Sequence, residues 1–65
     1  MNHEVRTYNK AMECVYTNNH QTAESAYEEY TENIRIIKKH INKGEEITVV
    51  RLNDGAVVAI ETIKG

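Results

Sequence analysis

The central part of the chain alternates apolar and polar positions with the period of a helix. Between residues 22 and 43, apolar side chains recur at intervals of four and three residues and fall on one side of a helix: Ala23, Tyr27, Tyr30, Ile34, Ile37 and Ile41. Thr22 is a suitable N-cap, with Asn19 as a rival that would begin the helix one turn earlier. Gly44 suits the left-handed position after the last turn. We therefore predict a helix over residues 22–43.

The N-terminal segment shows the same spacing over a shorter span. Its periodic apolar residues are Val5, Tyr8, Met12 and Val15. This pattern predicts a first helix over residues 3–17. Asn18 and Asn19 tolerate left-handed backbone geometry and can end that helix without a glycine. Because the connection is short, we expect the two helices to be antiparallel neighbours.

The C-terminal third changes to the pattern of strands. Residues 46–52 and 56–63 are rich in β-branched side chains, and the sequence Asn53-Asp54-Gly55 between them is a strong turn signal. A two-residue turn and a three-residue loop with a glycine bulge are both compatible with Gly55, so the register stays open. The sequence thus predicts a single α+β domain in the order ααββ, with a hairpin over residues 46–63.

This arrangement predicts a homodimer. A two-stranded ribbon alone is marginal in water, and both of its faces would carry apolar groups. A second copy could cover them through either the strands or the helices. The residues predicted at that interface are Ile36, Val50, Leu52, Val57 and Ala59.

Composition narrows the possible functions of the chain. A formal charge of -2 argues against binding to duplex nucleic acid, and no apolar run reaches the roughly 20 residues needed to span a bilayer. The single cysteine, Cys14, precludes an internal disulfide and suggests a reducing, cytoplasmic setting. Cys14 and His20 match no zinc pattern, and nothing in the sequence orients them as nucleophile and base. We therefore expect no enzyme activity, no metal and no cofactor.

The polar side of the second helix carries the candidate binding residues. Its glutamates repel one another, which is unusual for a helix selected only for stability: Glu24, Glu28, Glu29 and Glu32. They form either a solvated face or a surface that binds a basic protein, with Tyr27 and Tyr30 packing behind them.

Two further functions remain open. The basic end of the helix could serve a small nucleic-acid-binding regulator, together with Arg51; its residues are Arg35, Lys38, Lys39, His40 and Lys43. The chain could also be a structural subunit of a larger assembly, added through the strands of its hairpin.

The acidic helix sequence AESAYEEYTEN, in a short proline-free chain that ends in a hairpin, resembles the small host-takeover proteins of bacteriophages. Some members of that group inhibit DNA-binding proteins, such as the histone-like protein HU, by imitating DNA. The resemblance implies a non-enzymatic inhibitor in the host cytoplasm that binds a basic DNA-binding protein rather than nucleic acid.

Overall fold

A computed structural model describes residues 2–65 of the chain, which form one helix and four strands in the order ββαββ. The elements are β1 (His3–Tyr8), β2 (Cys14–His20), α1 (Ala23–His40), β3 (Glu46–Asn53) and β4 (Ala56–Lys64). All four strands belong to one antiparallel sheet with the order β2-β1-β3-β4, so the first and third strands are its centre.

The helix lies across one face of this sheet and forms the core with it. Its buried side chains contact residues of β1, β3 and β4, and the cluster comprises Val5, Ala26, Tyr30, Ile34, Val49 and Ile63. Ala26 and Val5 are both fully buried in this cluster. Part of the predicted helical stripe, Tyr30 and Ile34, is therefore covered by the chain's own sheet.

The predicted helix over residues 3–17 is wrong, and with it the ααββ order. This segment forms β1 and β2, joined by a turn at residues 9–13. Asn9 organises the turn, because its side-chain oxygen accepts from the Glu13 amide at 2.9 Å and its carbonyl accepts from the Met12 amide at 2.9 Å. The three–four spacing of apolar residues in this segment arises from two successive strands rather than from one helix.

The second predicted helix is present but shorter at its C-terminal end. Thr22 is the N-cap, and its hydroxyl accepts a hydrogen bond from the Ser25 amide at 3.2 Å. The helix ends at His40, and Ile41 has already taken an extended conformation. Gly44 has a positive φ of 88°, yet it belongs to the turn that follows and not to the helix cap.

Two alternatives were open for the C-terminal hairpin, and the structure has the two-residue turn. Asn53 pairs with Ala56, and both turn residues have a positive φ, 50° at Asp54 and 84° at Gly55. This hairpin does not need a second copy to complete its sheet, because β1 pairs along the other side of β3. Dimerisation as the means of completing the core is therefore also wrong.

Candidate interaction surfaces

The joint between β2 and α1 is built around the carboxylate of Glu29. Three side chains at alternate positions of β2 point to it: the Tyr16 hydroxyl donates at 2.8 Å, the Asn18 amide at 3.1 Å and His20 Nε2 at 2.7 Å. Residues two apart on a strand lie on the same face, which explains how one carboxylate can accept from all three. Glu29 thus fastens an edge strand to the helix.

The hydrogen bonds at this joint also set the ionisation of its members. Burial opposes the charge of Glu29, but the hydrogen bonds from His20, Tyr16 and Asn18 outweigh burial and hold the pKa of the carboxyl below its usual range. The pKa of Tyr16 is raised, chiefly because its hydroxyl proton is shared with the Glu29 carboxylate. Glu29 is consequently an internal anchor and not a freely exposed charge.

The same cluster contains a row with the connectivity of a nucleophile, a base and an orienting carboxylate. Ser25 Oγ lies 3.0 Å from His20 Nδ1, and His20 Nε2 bonds to Glu29. The groove beside this row is lined by Glu28 and Glu32, however, and negative charge there opposes the oxyanion of an acyl transfer. Ser25 Oγ is moreover bonded to the helix cap residue Thr22. A structural role explains the row better, because these hydrogen bonds hold β2 against the start of α1.

Cys14 and His20, which were considered from the sequence as a nucleophile and base, are not brought together. Cys14 begins β2 and His20 ends it, and the Cys14 thiol lies 3.1 Å from Thr17 Oγ1 instead. Cys14 is exposed. Within residues 2–65, no group of three or more histidine, cysteine, aspartate and glutamate side chains converges as metal ligands would.

The predicted acidic surface is smaller in the structure than in the sequence. Glu24, Glu28 and Glu32 are exposed on the helix, but Glu29 is turned towards the sheet. Glu32 is paired with Arg35, whose guanidinium donates to both carboxylate oxygens and lowers the pKa of that carboxyl. Glu24 and Glu28 form no ion pair within the described part of the chain. They are the part of the predicted acidic row that a partner could reach unpaired.

The two tyrosines expected behind the acidic row have different surroundings. Tyr30 is buried in the core, as packing would require, and burial raises the pKa of its hydroxyl. Tyr27 is exposed, and the Arg51 guanidinium lies over its ring, 5.8 Å from the centroid.

The basic residues of the alternative nucleic-acid surface are separated. Arg51 lies beside Glu24 and Glu28 near the start of the helix, whereas Lys38, near its end, is paired with Glu61 of β4 at 3.0 Å. The structure therefore does not bring Arg51 and Lys38 together as one basic surface.

The face of the sheet opposite α1 carries an apolar surface, which we call the outer patch: Val50, Leu52, Val57 and Ile60. The register pairs Leu52 with Val57 and Val50 with Ile60, so the four form a block on β3 and β4. Val50 and Leu52 are only 5% and 7% exposed, whereas Val57 and Ile60 are 58% and 60% exposed. Val58, the additional residue of a β-bulge beside the patch, is also exposed.

The outer patch includes three of the five residues predicted for a dimer interface, Val50, Leu52 and Val57. Ala59 instead lies on the helix-facing side and packs against the core. Ile36 is exposed on the helix. Ile60 was not among the predicted interface residues, although the sequence shows that it is apolar and lies four residues before Lys64. Its position beside Val50 follows only from the register of β4 against β3.

No helix among residues 2–65 combines the length and the apolar composition needed to cross a membrane. Comparison of the chain with protein-family models, with curated proteins and with solved structures finds no match.

Proposed function

We propose that this chain is a non-catalytic protein-binding module that docks through the outer patch. The observation that supports this most directly is the exposure of Val57 and Ile60, which adjoin Val50 and Leu52 on the same face. Contiguous apolar surface of this kind is typical of protein interaction sites. Covering the two exposed side chains would contribute on the order of 2 kcal/mol to binding.

The charges around the outer patch indicate the chemistry of its partner. On β1, the Arg6 guanidinium lies 2.8 Å from the Glu4 carboxylate. On β3 and β4, Glu46 lies opposite Lys64. Because these charges compensate one another within the chain, a partner that covered the patch would not need to bring a charge of its own. The proposed partner surface is therefore apolar and uncharged.

The test compares capture of partners by three forms of the tagged protein. Val57→Asp combined with Ile60→Asp places charge in the outer patch, and Val15→Asp is the matched control, because Val15 is 61% exposed on β2. We expect the wild type and Val15→Asp to retain partners from the source cell. The double variant should retain at least tenfold less of them. Equal capture by all three forms would contradict the proposal.

A second candidate function is inhibition of a basic DNA-binding protein, as the resemblance to bacteriophage host-takeover proteins implies. Glu24 and Glu28 favour it, because both are exposed and unpaired within the described residues. In this function the chain acts in the host cytoplasm, where Cys14 stays a thiol.

The two functions respond to different substitutions. Glu24→Gln with Glu28→Gln should weaken the binding of a basic partner, most clearly at low salt. The same substitutions should leave the binding of a partner at the outer patch unchanged. Glu13→Gln with Glu45→Gln removes the same charge away from the helix and serves as the control. If neither pair of substitutions changes the capture of a basic protein, that result would argue against the inhibitor function.

A further inference from the structure

Burial on the outer face depends on neighbouring strands. Val50 and Leu52 lie on the face opposite α1, yet they are almost completely buried. Each is flanked on both sides within the sheet: Val50 lies between Arg6 and Ile60, and Leu52 lies between Glu4 and Val57. Side chains of two flanking strands are therefore sufficient to bury an aliphatic group on this face.

Val57 and Ile60 have such a neighbour on one side only. They belong to β4, the edge strand of the sheet, and more than half of each side chain is exposed. The contrast with Val50 and Leu52 is a contrast in the number of flanking strands. From it, and resting on the proposed function, we infer that β4 accepts an extended, uncharged segment of a partner protein as a fifth strand.

The backbone of β4 is suited to this addition. The strand runs over nine residues, and Ala59–Lys64 pairs regularly with β3. Along a paired edge strand, alternate N–H and C=O groups point away from the sheet and can bond to an added strand. A partner that binds in this way gains affinity from main-chain hydrogen bonds and specificity from its alternate side chains. Those beside Ile60 and Val57 would be β-branched or aliphatic.

The opposite edge of the sheet differs in character. On β2, the residues that share the outer face with Val50 and Leu52 are Thr17 and Asn19, since they pair with Arg6 and Glu4. Polar side chains at these positions offer no apolar surface to an added strand. The two edges therefore differ, and the apolar one is β4.

A second copy of β4 fits this edge poorly. Directly opposed residues of an antiparallel pair lie on the same face, which restricts two-fold pairing of β4 with itself to a few registers. Pairing centred on Glu61 opposes like charges, and pairing centred on Thr62 sets Lys64 against Ile60. Pairing centred on Ile60 places the bulge at Val58 opposite regular strand, so that only residues 59–61 are regular in both copies. The edge favours a different chain.

The test uses a soluble, end-capped peptide of alternating threonine and valine as the added strand. Amide hydrogen exchange of the protein is followed by NMR with and without the peptide. We expect alternate amides within Ala59–Lys64 to exchange at least tenfold more slowly when the peptide is bound, whereas amides of β2 do not change. A peptide with proline at its centre, which lacks a main-chain donor there, should protect them much less.

Specificity is tested with two variants of the protein. Ile60→Asp should weaken peptide binding at least tenfold, and Val15→Asp should not. Peptide contacts to Val57 and Ile60 without protection of β4 amides would overturn strand addition while leaving the proposed docking through the outer patch intact. Absence of binding at millimolar peptide would also overturn strand addition. Protection that depends on protein concentration and not on peptide would identify a second copy as the occupant and overturn the inference.

Discussion

His20 at the end of β2 and Glu29 in the second turn of α1 are joined by a hydrogen bond of 2.7 Å between Nε2 and Oε1. Tyr16 and Asn18 of the same strand bond to the same carboxylate. Most of β2 is exposed, and its apolar side chain Val15 contributes little to the core. The position of this edge strand against the helix therefore depends on one carboxylate to an unusual degree.

Glu29→Gln should destabilise the protein by about 1–3 kcal/mol, because the amide cannot accept from all three donors and loses the charge that strengthens their hydrogen bonds. Glu28→Gln, one residue away and exposed, is the control and should change the free energy of unfolding by less than about 0.5 kcal/mol. Urea denaturation followed by circular dichroism measures both. Equal stability of the two variants would show that the Glu29 cluster is not an anchor.

Stability should also fall in acid through the same carboxylate. Since the folded-state pKa of Glu29 lies below that of the unfolded chain, its contribution is fully present above the unfolded pKa of about 4.3 and is lost as pH falls through the folded pKa. Denaturation midpoints measured between pH 6 and pH 2.5 test this. Glu29→Gln should show a shallower decline than the wild type, and parallel curves would contradict the assignment.

Thr22→Ala should destabilise the helix start by about 0.5–2 kcal/mol, because the Ser25 amide loses its acceptor. Thr31→Ala provides the control within the same helix. The Thr31 hydroxyl bonds back to the carbonyls of Tyr27 and Glu28, and alanine is the better helix former at such a position. Thr31→Ala should therefore be neutral or slightly stabilising by thermal unfolding, and a loss as large as that of Thr22→Ala would refute the capping role.

Gly55→Ala should cost roughly 1–2 kcal/mol, because Gly55 has a φ of 84°. Among residues 2–65, apart from Gly55 and its two chain neighbours, no heavy atom lies within 4 Å of the added Cβ, so the cost comes from the backbone and not from a collision. Chemical synthesis of the chain with D-alanine at this position gives a sharp control, since a positive φ suits the D residue. Thermal unfolding should place the D-alanine protein at or above the wild type and the L-alanine variant below it.

The elements that could be predicted from sequence have strong local signals. Thr22 and the apolar stripe located the helix, and Asp54-Gly55 located the C-terminal turn. The N-terminal strands were missed because β1 is central and carries buried polar residues, His3 and Glu4, which conceal the alternation of a half-buried strand. The β-branched and aromatic residues of both strands were the available signal.

The candidate surfaces required tertiary information. Glu29 follows Glu28 directly and has the same chemistry, but only the position of β2 shows that its carboxylate turns inward. The exposure of Ile60 depends on the strand order, because the same residue in a central strand would be flanked on both sides. Local sequence patterns contain neither fact. The acidic surface predicted from the sequence was therefore too large, and Ile60 was not assigned to any surface.

The strand order also bears on how the protein is made. β1 pairs with β3, and the link extends to the ends of these strands, where the Asp54 amide donates to the Asn2 carbonyl at 2.7 Å. A ribosome must therefore release β3 before β1 can take its central place in the sheet. Until then the N-terminal hairpin can pack only against the helix, and Val5 stays uncovered on the side that β3 will occupy. During synthesis, this sheet therefore cannot be completed until β3 has left the ribosome.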